Sequence, residues 1–84
     1  MTITAVGLQE KVAAIVAEQL DKEVVEVEQA RSFAQVGADE LDCIEIVMRL
    51  EEEFGLEIND DDAENLVSVT AMVKYLKERL PSEK

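Results

Sequence analysis

Carboxylates are the chemistry this chain holds in quantity. Residues 39–64 contain twelve Asp and Glu against one base, Arg49, so this third of the chain supplies eleven of the twelve net negative charges. The other reactive groups are few: Cys43, three serines (Ser32, Ser68 and Ser82), and no histidine. Without histidine, acid–base work near neutral pH needs a carboxylate or lysine with a strongly shifted pKa. A protein of 84 residues has little interior in which to produce one. No catalytic residue, and no enzyme, is expected. Cys43 cannot pair within the chain, and no zinc-type spacing surrounds it. "NDDDAEN" at 59–65 invites a calcium reading, but the glycine of an EF-hand loop is missing and Ala63 stands at a ligand position. No selective metal site follows.

What such charge can do is choose partners. An acidic face disfavours nucleic acid and anionic membrane and suits a basic protein surface, where complementary fields speed encounter. Acids spread evenly would only keep a small protein in solution; these are clustered. The opening residues lack both a basic flank and a long apolar run, so neither a signal peptide nor a membrane span is expected. The reading is a monomer in a reducing compartment, the cytoplasm, or the plastid stroma if a transit peptide has been removed.

The elements that must position these acids are helical. Leu8, Val12, Ile15, Val16 and Leu20 have amphipathic helix spacing, with Thr4 as N-cap. Val69, Met72, Val73, Leu76 and Leu80 form a second such stripe, capped by Ser68 and stopped by Pro81. Between them, Asp39 with Asp42 makes a capping box for a helix that ends at Gly55, and a short helix is expected over about 60–65, capped by Asn59 or Asp60. Residues 21–38 alternate as a strand would at "EVVEVEQA", yet nothing else in the chain could pair with a strand. They read as a long loop, with room for a helical turn, packing Val24, Val27, Phe33 and Val36 on the bundle. The expected fold is all-α: a single domain over 1–84, three main helices plus one short one, with a long first loop.

On a wheel turning about 100° per residue, the helix after Asp39 has two apolar arcs. Cys43, Ile46, Val47, Leu50 and Phe54 form one, wide enough to face a core. Leu41, Ile44 and Met48 fall on the opposite side, bordered by Glu45, Glu51 and Glu52. A soluble helix needs one buried stripe. The second is covered by the long loop or left for a partner, and its acidic border favours the partner. Cys43, in the core arc, reads as a small inert apolar residue.

"VGADELDCIEIVMRLEEEFGLEI" resembles the acyl carrier protein signature "LGADSLD" followed by "LEEEF", and the likeness runs from about Leu8 to Leu80. The spacing from Phe33 to Asp39, with "IEIVM" and "EEEFGLEI", is most similar to plastid and cyanobacterial members. The resemblance implies a four-helix bundle whose second helix docks on the basic surfaces of fatty acid or polyketide synthesis enzymes. The family's partner-contact positions match Asp39, Leu41, Ile44, Glu45, Met48, Glu51 and Glu52. In the family a serine follows the aspartate and takes 4′-phosphopantetheine from coenzyme A; here Glu40 stands at that cofactor-binding position. A carboxylate could form only a readily hydrolysed mixed anhydride there. The resemblance therefore implies an unmodified Glu40, no cofactor on this chain, and a phosphopantetheinyl transferase as a partner without productive transfer. Glu40 itself either suits the helix dipole or imitates the charge of the missing phosphodiester. The alternative to a carrier with an altered site is a non-carrying interaction module, or regulatory subunit, that binds carrier-protein partners.

Overall fold

A computed structural model describes residues 5–80 of the chain. Thr4 and Pro81, expected as cap and stop, lie outside the described residues, as does Ser82. Helix α1 (Ala5–Leu20) buries Leu8, Val12, Ile15 and Val16 along one stripe and buries Ala13 and Ala17 beside them. It ends where Asp21 takes a left-handed conformation (φ 56°), which lets the Lys22 N–H reach back to the Ala17 carbonyl at 2.9 Å. This is the wound-up C-terminus that satisfies otherwise unpaired helix carbonyls.

Residues 21–38 correct the expectation of a loop. They form helix α2 (Val24–Gln29) and a 3-10 turn (Phe33–Val36). The Glu26 carboxylate accepts the Glu23 N–H at 3.2 Å, a local signal for helix that the valine alternation obscures. Two of the four expected anchors are core residues, Val27 and Phe33; Val36 is half-buried and Val24 is exposed. The Phe33 N–H also donates to the Val67 carbonyl at 2.7 Å, pinning this segment to the far end of the chain.

Helix α3 (Glu40–Phe54) starts and stops as its sequence demands. Asp39 Oδ1 accepts the Asp42 N–H at 2.9 Å, and Asp42 Oδ2 accepts the Asp39 N–H at 3.2 Å. Glu40 and Asp42 in the first turn face the positive end of the helix dipole, a contribution of about 0.3–1 kcal/mol each. At the other end Gly55 is left-handed (φ 65°), and both Gly55 and Leu56 donate to the Glu51 carbonyl. Helix α4 is shorter than expected, Asp60–Ala63, capped by the Asn59 side chain. Helix α5 (Val69–Arg79) is capped by Ser68, whose hydroxyl accepts the Ala71 N–H at 3.1 Å.

Helix α1 is the central element: α5, α3 and α2 each pack against it. The shared core includes Val12 and Val16 of α1, Phe33, Ile46 and Leu50 of α3, and Met72 and Leu76 of α5. Each such side chain contributes roughly 1.5–3 kcal/mol when fully buried. The all-α class holds, and among the described residues no strand occurs. The consequence for α3 is that its core stripe is fixed against α1, which settles where its opposite side must point.

Candidate partner-recognition face

The core stripe of α3 is Ile46, Val47 and Leu50, all buried, with Cys43 and Phe54 partly buried beside them. Opposite, Leu41 is 61% exposed, Ile44 49% and Met48 56%. The loop that could have covered this strip packs elsewhere, through Val27 and Phe33. Three of the six exposed large apolar side chains among the described residues are thus contributed by one helix face.

The acids around the strip differ in their freedom. Glu52 is exposed, and its carboxylate makes no hydrogen bond or ion pair among the described residues. Glu45 is half-buried, with Oε2 accepting from the Gln19 side chain of α1 at 3.2 Å. Glu51 is half-buried too, with Oε2 accepting the Ile58 backbone N–H at 2.8 Å. Each retains a second oxygen. Asp39 serves as N-cap, and Glu40 opens α3 with its side chain in solvent. Arg49, the single base of this region, is held by Glu18 of α1.

Beside the strip, α3, the connection after Gly55 and α4 enclose a cleft of about 550 Å³. Cys43, Val47, Met48, Ile58 and Ala63 line it, with the carboxylates of Glu40 and Glu51 among its other walls. Burial, then the charges of Asp42, Asp39 and Glu40, push the Cys43 thiol above its ordinary pKa. Such a thiol is a weak nucleophile, in keeping with its expected inert role. Among the described residues no cluster of Cys, Asp or Glu is placed to hold a metal, and Asp62 of the acidic run is engaged by Tyr75 and Arg79.

All seven expected contact residues lie on α3 or at its cap. What sequence reasoning missed is the second layer: Gln19, Glu18 and the Ile58 amide, which orient Glu45, Arg49 and Glu51. The first two lie 26 and 31 residues from their partners and carry no local signal. The cleft was missed for the same reason.

This helix, capped by aspartate and backed by a bundle, belongs to a known class. The family model described as a phosphopantetheine attachment site matches residues 10–76. The acyl carrier protein of Nitratidesulfovibrio vulgaris (strain DSM 19637 / Miyazaki F) is 40% identical over 74 residues, covering 87% of this chain and 97% of the relative. That of Helicobacter pylori (strain ATCC 700392 / 26695) is 42% identical over 73 residues, covering 86% and 94%. The solved acyl carrier protein of Enterococcus faecalis superposes with a TM-score of 0.76 at 36% identity, over 95% of this chain and all of that one. The chain belongs to the acyl carrier protein family, a family of carriers rather than enzymes. Among the described residues no helix is long and apolar enough to cross a membrane.

Proposed function

We propose that this protein presents α3 to the basic surfaces of fatty acid or polyketide synthesis enzymes, and that it is not loaded with 4′-phosphopantetheine. The observation that carries the first part is the solvent-exposed strip of Leu41, Ile44 and Met48 within a border of carboxylates. Apolar area at the centre and charge at the rim suit a reversible contact with a cationic partner. Methionine adds adaptability to partners of different shape.

The second part rests on the residue types at the start of α3. The prosthetic group named for the family is attached through a hydroxyl, and Asp39, Glu40, Leu41 and Asp42 offer none. Ser68 is buried and engaged as the cap of α5, and Ser32 precedes the 3-10 turn. These residues do not fit the group. Glu40 sits in solvent at a helix N-terminus, where its charge is favourable without any further role. The competing reading, a regulatory subunit or competitor that binds carrier-protein partners, uses the same face.

Incubation with coenzyme A and a broad phosphopantetheinyl transferase, followed by intact mass spectrometry, tests the proposal. No mass gain is expected for this chain, and a gain of one arm is expected for Glu40→Ser. An arm on the unaltered chain overturns the unloaded reading; no arm on Glu40→Ser shows that more than residue 40 is altered. Retained binding of the unloaded chain to a basic ketoacyl synthase favours the interaction module.

A further inference from the structure

The cations of this acidic chain are unevenly committed. Lys11, Arg49 and Arg79 are each tied to a carboxylate. Lys74 and Lys77 of α5 are exposed, and their ammonium groups make no ion pair or hydrogen bond among the described residues. Helix α5 sets Lys74, Lys77 and Arg79 against Glu78, which makes it the one described helix with a net positive charge. Lys77 sits in the last turn, where the helix dipole favours a cation; Lys74 lies a turn earlier and has no such reason. Both lysines border a second cleft, of about 400 Å³, between α5 and α1. Thr70, Val73, Lys74 and Lys77 form one wall, at the i, i+3, i+4, i+7 spacing of a single helix face, and Gln9 of α1 lines the other side. The Gln9 amide gives one hydrogen to Glu28 Oε2 at 3.2 Å, which leaves its second uncommitted.

We propose that this cleft is a binding site for a small organic anion bearing a diphosphate. Its lining decides the class. Two ammoniums, a hydroxyl and an amide hydrogen can all donate, and Glu78 is the only carboxylate in the walls. Such a set suits a ligand built of acceptor oxygens with more than one negative charge. Side chains three apart on a helix start about 5–6 Å from each other, so each ammonium can take one phosphate of a joined pair. The volume falls in the range of small-ligand sites and is too small for a folded acidic segment of another protein. The net charge of −12 opposes any anion, so occupancy needs both ammoniums and is sensitive to the loss of either. No residue of α3 lines the cleft, so the site stands apart from the proposed partner face.

In the test, inorganic pyrophosphate is titrated into the isotope-labelled chain in metal-free buffer at constant ionic strength, and amide shifts are followed by NMR. Saturable shifts are expected at Thr70, Val73, Lys74, Lys77 and the Gln9 side chain. Lys74→Ala and Lys77→Ala, both at exposed positions, are each expected to weaken binding about fivefold. Lys22→Ala, which removes another exposed and unpaired lysine outside the cleft, should leave it unchanged. An equal loss in Lys22→Ala reveals only a diffuse ion atmosphere and overturns the site. Absence of saturable shifts, or shifts indifferent to both α5 substitutions, overturns it too. A hexaglutamate peptide that moves the same amides at lower concentration than pyrophosphate overturns the small-ligand class in favour of an acidic protein segment.

Discussion

Arg49 of α3 is held by Glu18 of α1, so the one base of the acidic third is neutralised before any partner arrives. The pair is largely solvent-exposed on the Glu18 side, and its contribution to stability is under about 1 kcal/mol. Its larger effect is on the field. Glu18→Ala frees a guanidinium one turn from Glu45 and Glu53 on the same helix, where it screens the face. Affinity for a basic ketoacyl synthase is expected to fall roughly twofold to fivefold with little change in melting temperature. Binding isotherms at two ionic strengths check this, and unchanged affinity would show that Arg49 has no influence on the face.

Opposite faces of α3 should respond to substitution in opposite ways. Met48→Glu touches an exposed side chain and is expected to alter stability by no more than about 0.5 kcal/mol, while weakening partner binding. Leu50→Ala, on the fully buried side, is expected to cost about 2–5 kcal/mol. Thermal melts of the two variants with binding assays separate the roles. A large loss of stability in Met48→Glu would place that side chain under cover.

The ends of α3 are set by local chemistry. Asp39→Ala removes the acceptor for the Asp42 N–H and is expected to cost about 1 kcal/mol. Gly55→Ala is expected to cost about 1–2 kcal/mol. No heavy atom lies within 4 Å of an added Cβ there, so the cost is conformational, from the left-handed backbone. Gly55→Asn should lose less, because asparagine tolerates that conformation. Chemical denaturation of the three variants gives the ranking.

Stability should decline in the alkaline range through two identified groups. Burial, and then nearby Asp42, Asp39 and Glu40, raise the Cys43 pKa in the folded state. Burial, and then its hydrogen bond to Asp62, raise that of Tyr75. A raised folded pKa means the neutral form is favoured by folding. The contribution is complete below the unfolded values, about 8.5 for a thiol and 10 for a phenol, and is lost as pH climbs through the folded ones. Cys43→Ala should remove the earlier part of the decline and Tyr75→Phe the later part, as read from melts between pH 7 and 11.

Caps were legible because their chemistry is local: Asp39 with Asp42, Ser68 with Ala71, Gly55 with Glu51. The split of α3 into two apolar arcs was equally legible, since helix periodicity alone assigns Leu50 and Met48 to different sides. Helix α2 was not. Valine alternation at 24–27 favours a strand, and what decides otherwise is Val27 packing into the core beside α1. The commitments of Glu45 and Glu51 were hidden for a related reason, because a contact with Gln19 or Ile58 exists only once the chain has folded back. Family resemblance located the face; only the folded chain distinguishes its tied carboxylates from its free one.

The seam between α4 and α5 has a practical consequence. Tyr75 is the sole tyrosine in a chain without tryptophan, and its hydroxyl donates to Asp62 while the Arg79 guanidinium lies 4.7 Å from its ring centre. Apart from the weak emission of its two phenylalanines, the protein therefore carries one native fluorophore, placed where events at a single joint quench or relieve it. Its ultraviolet emission reports on α4 without label or engineered dye, and any tryptophan signal in a mixture belongs wholly to whatever enzyme has come to meet it.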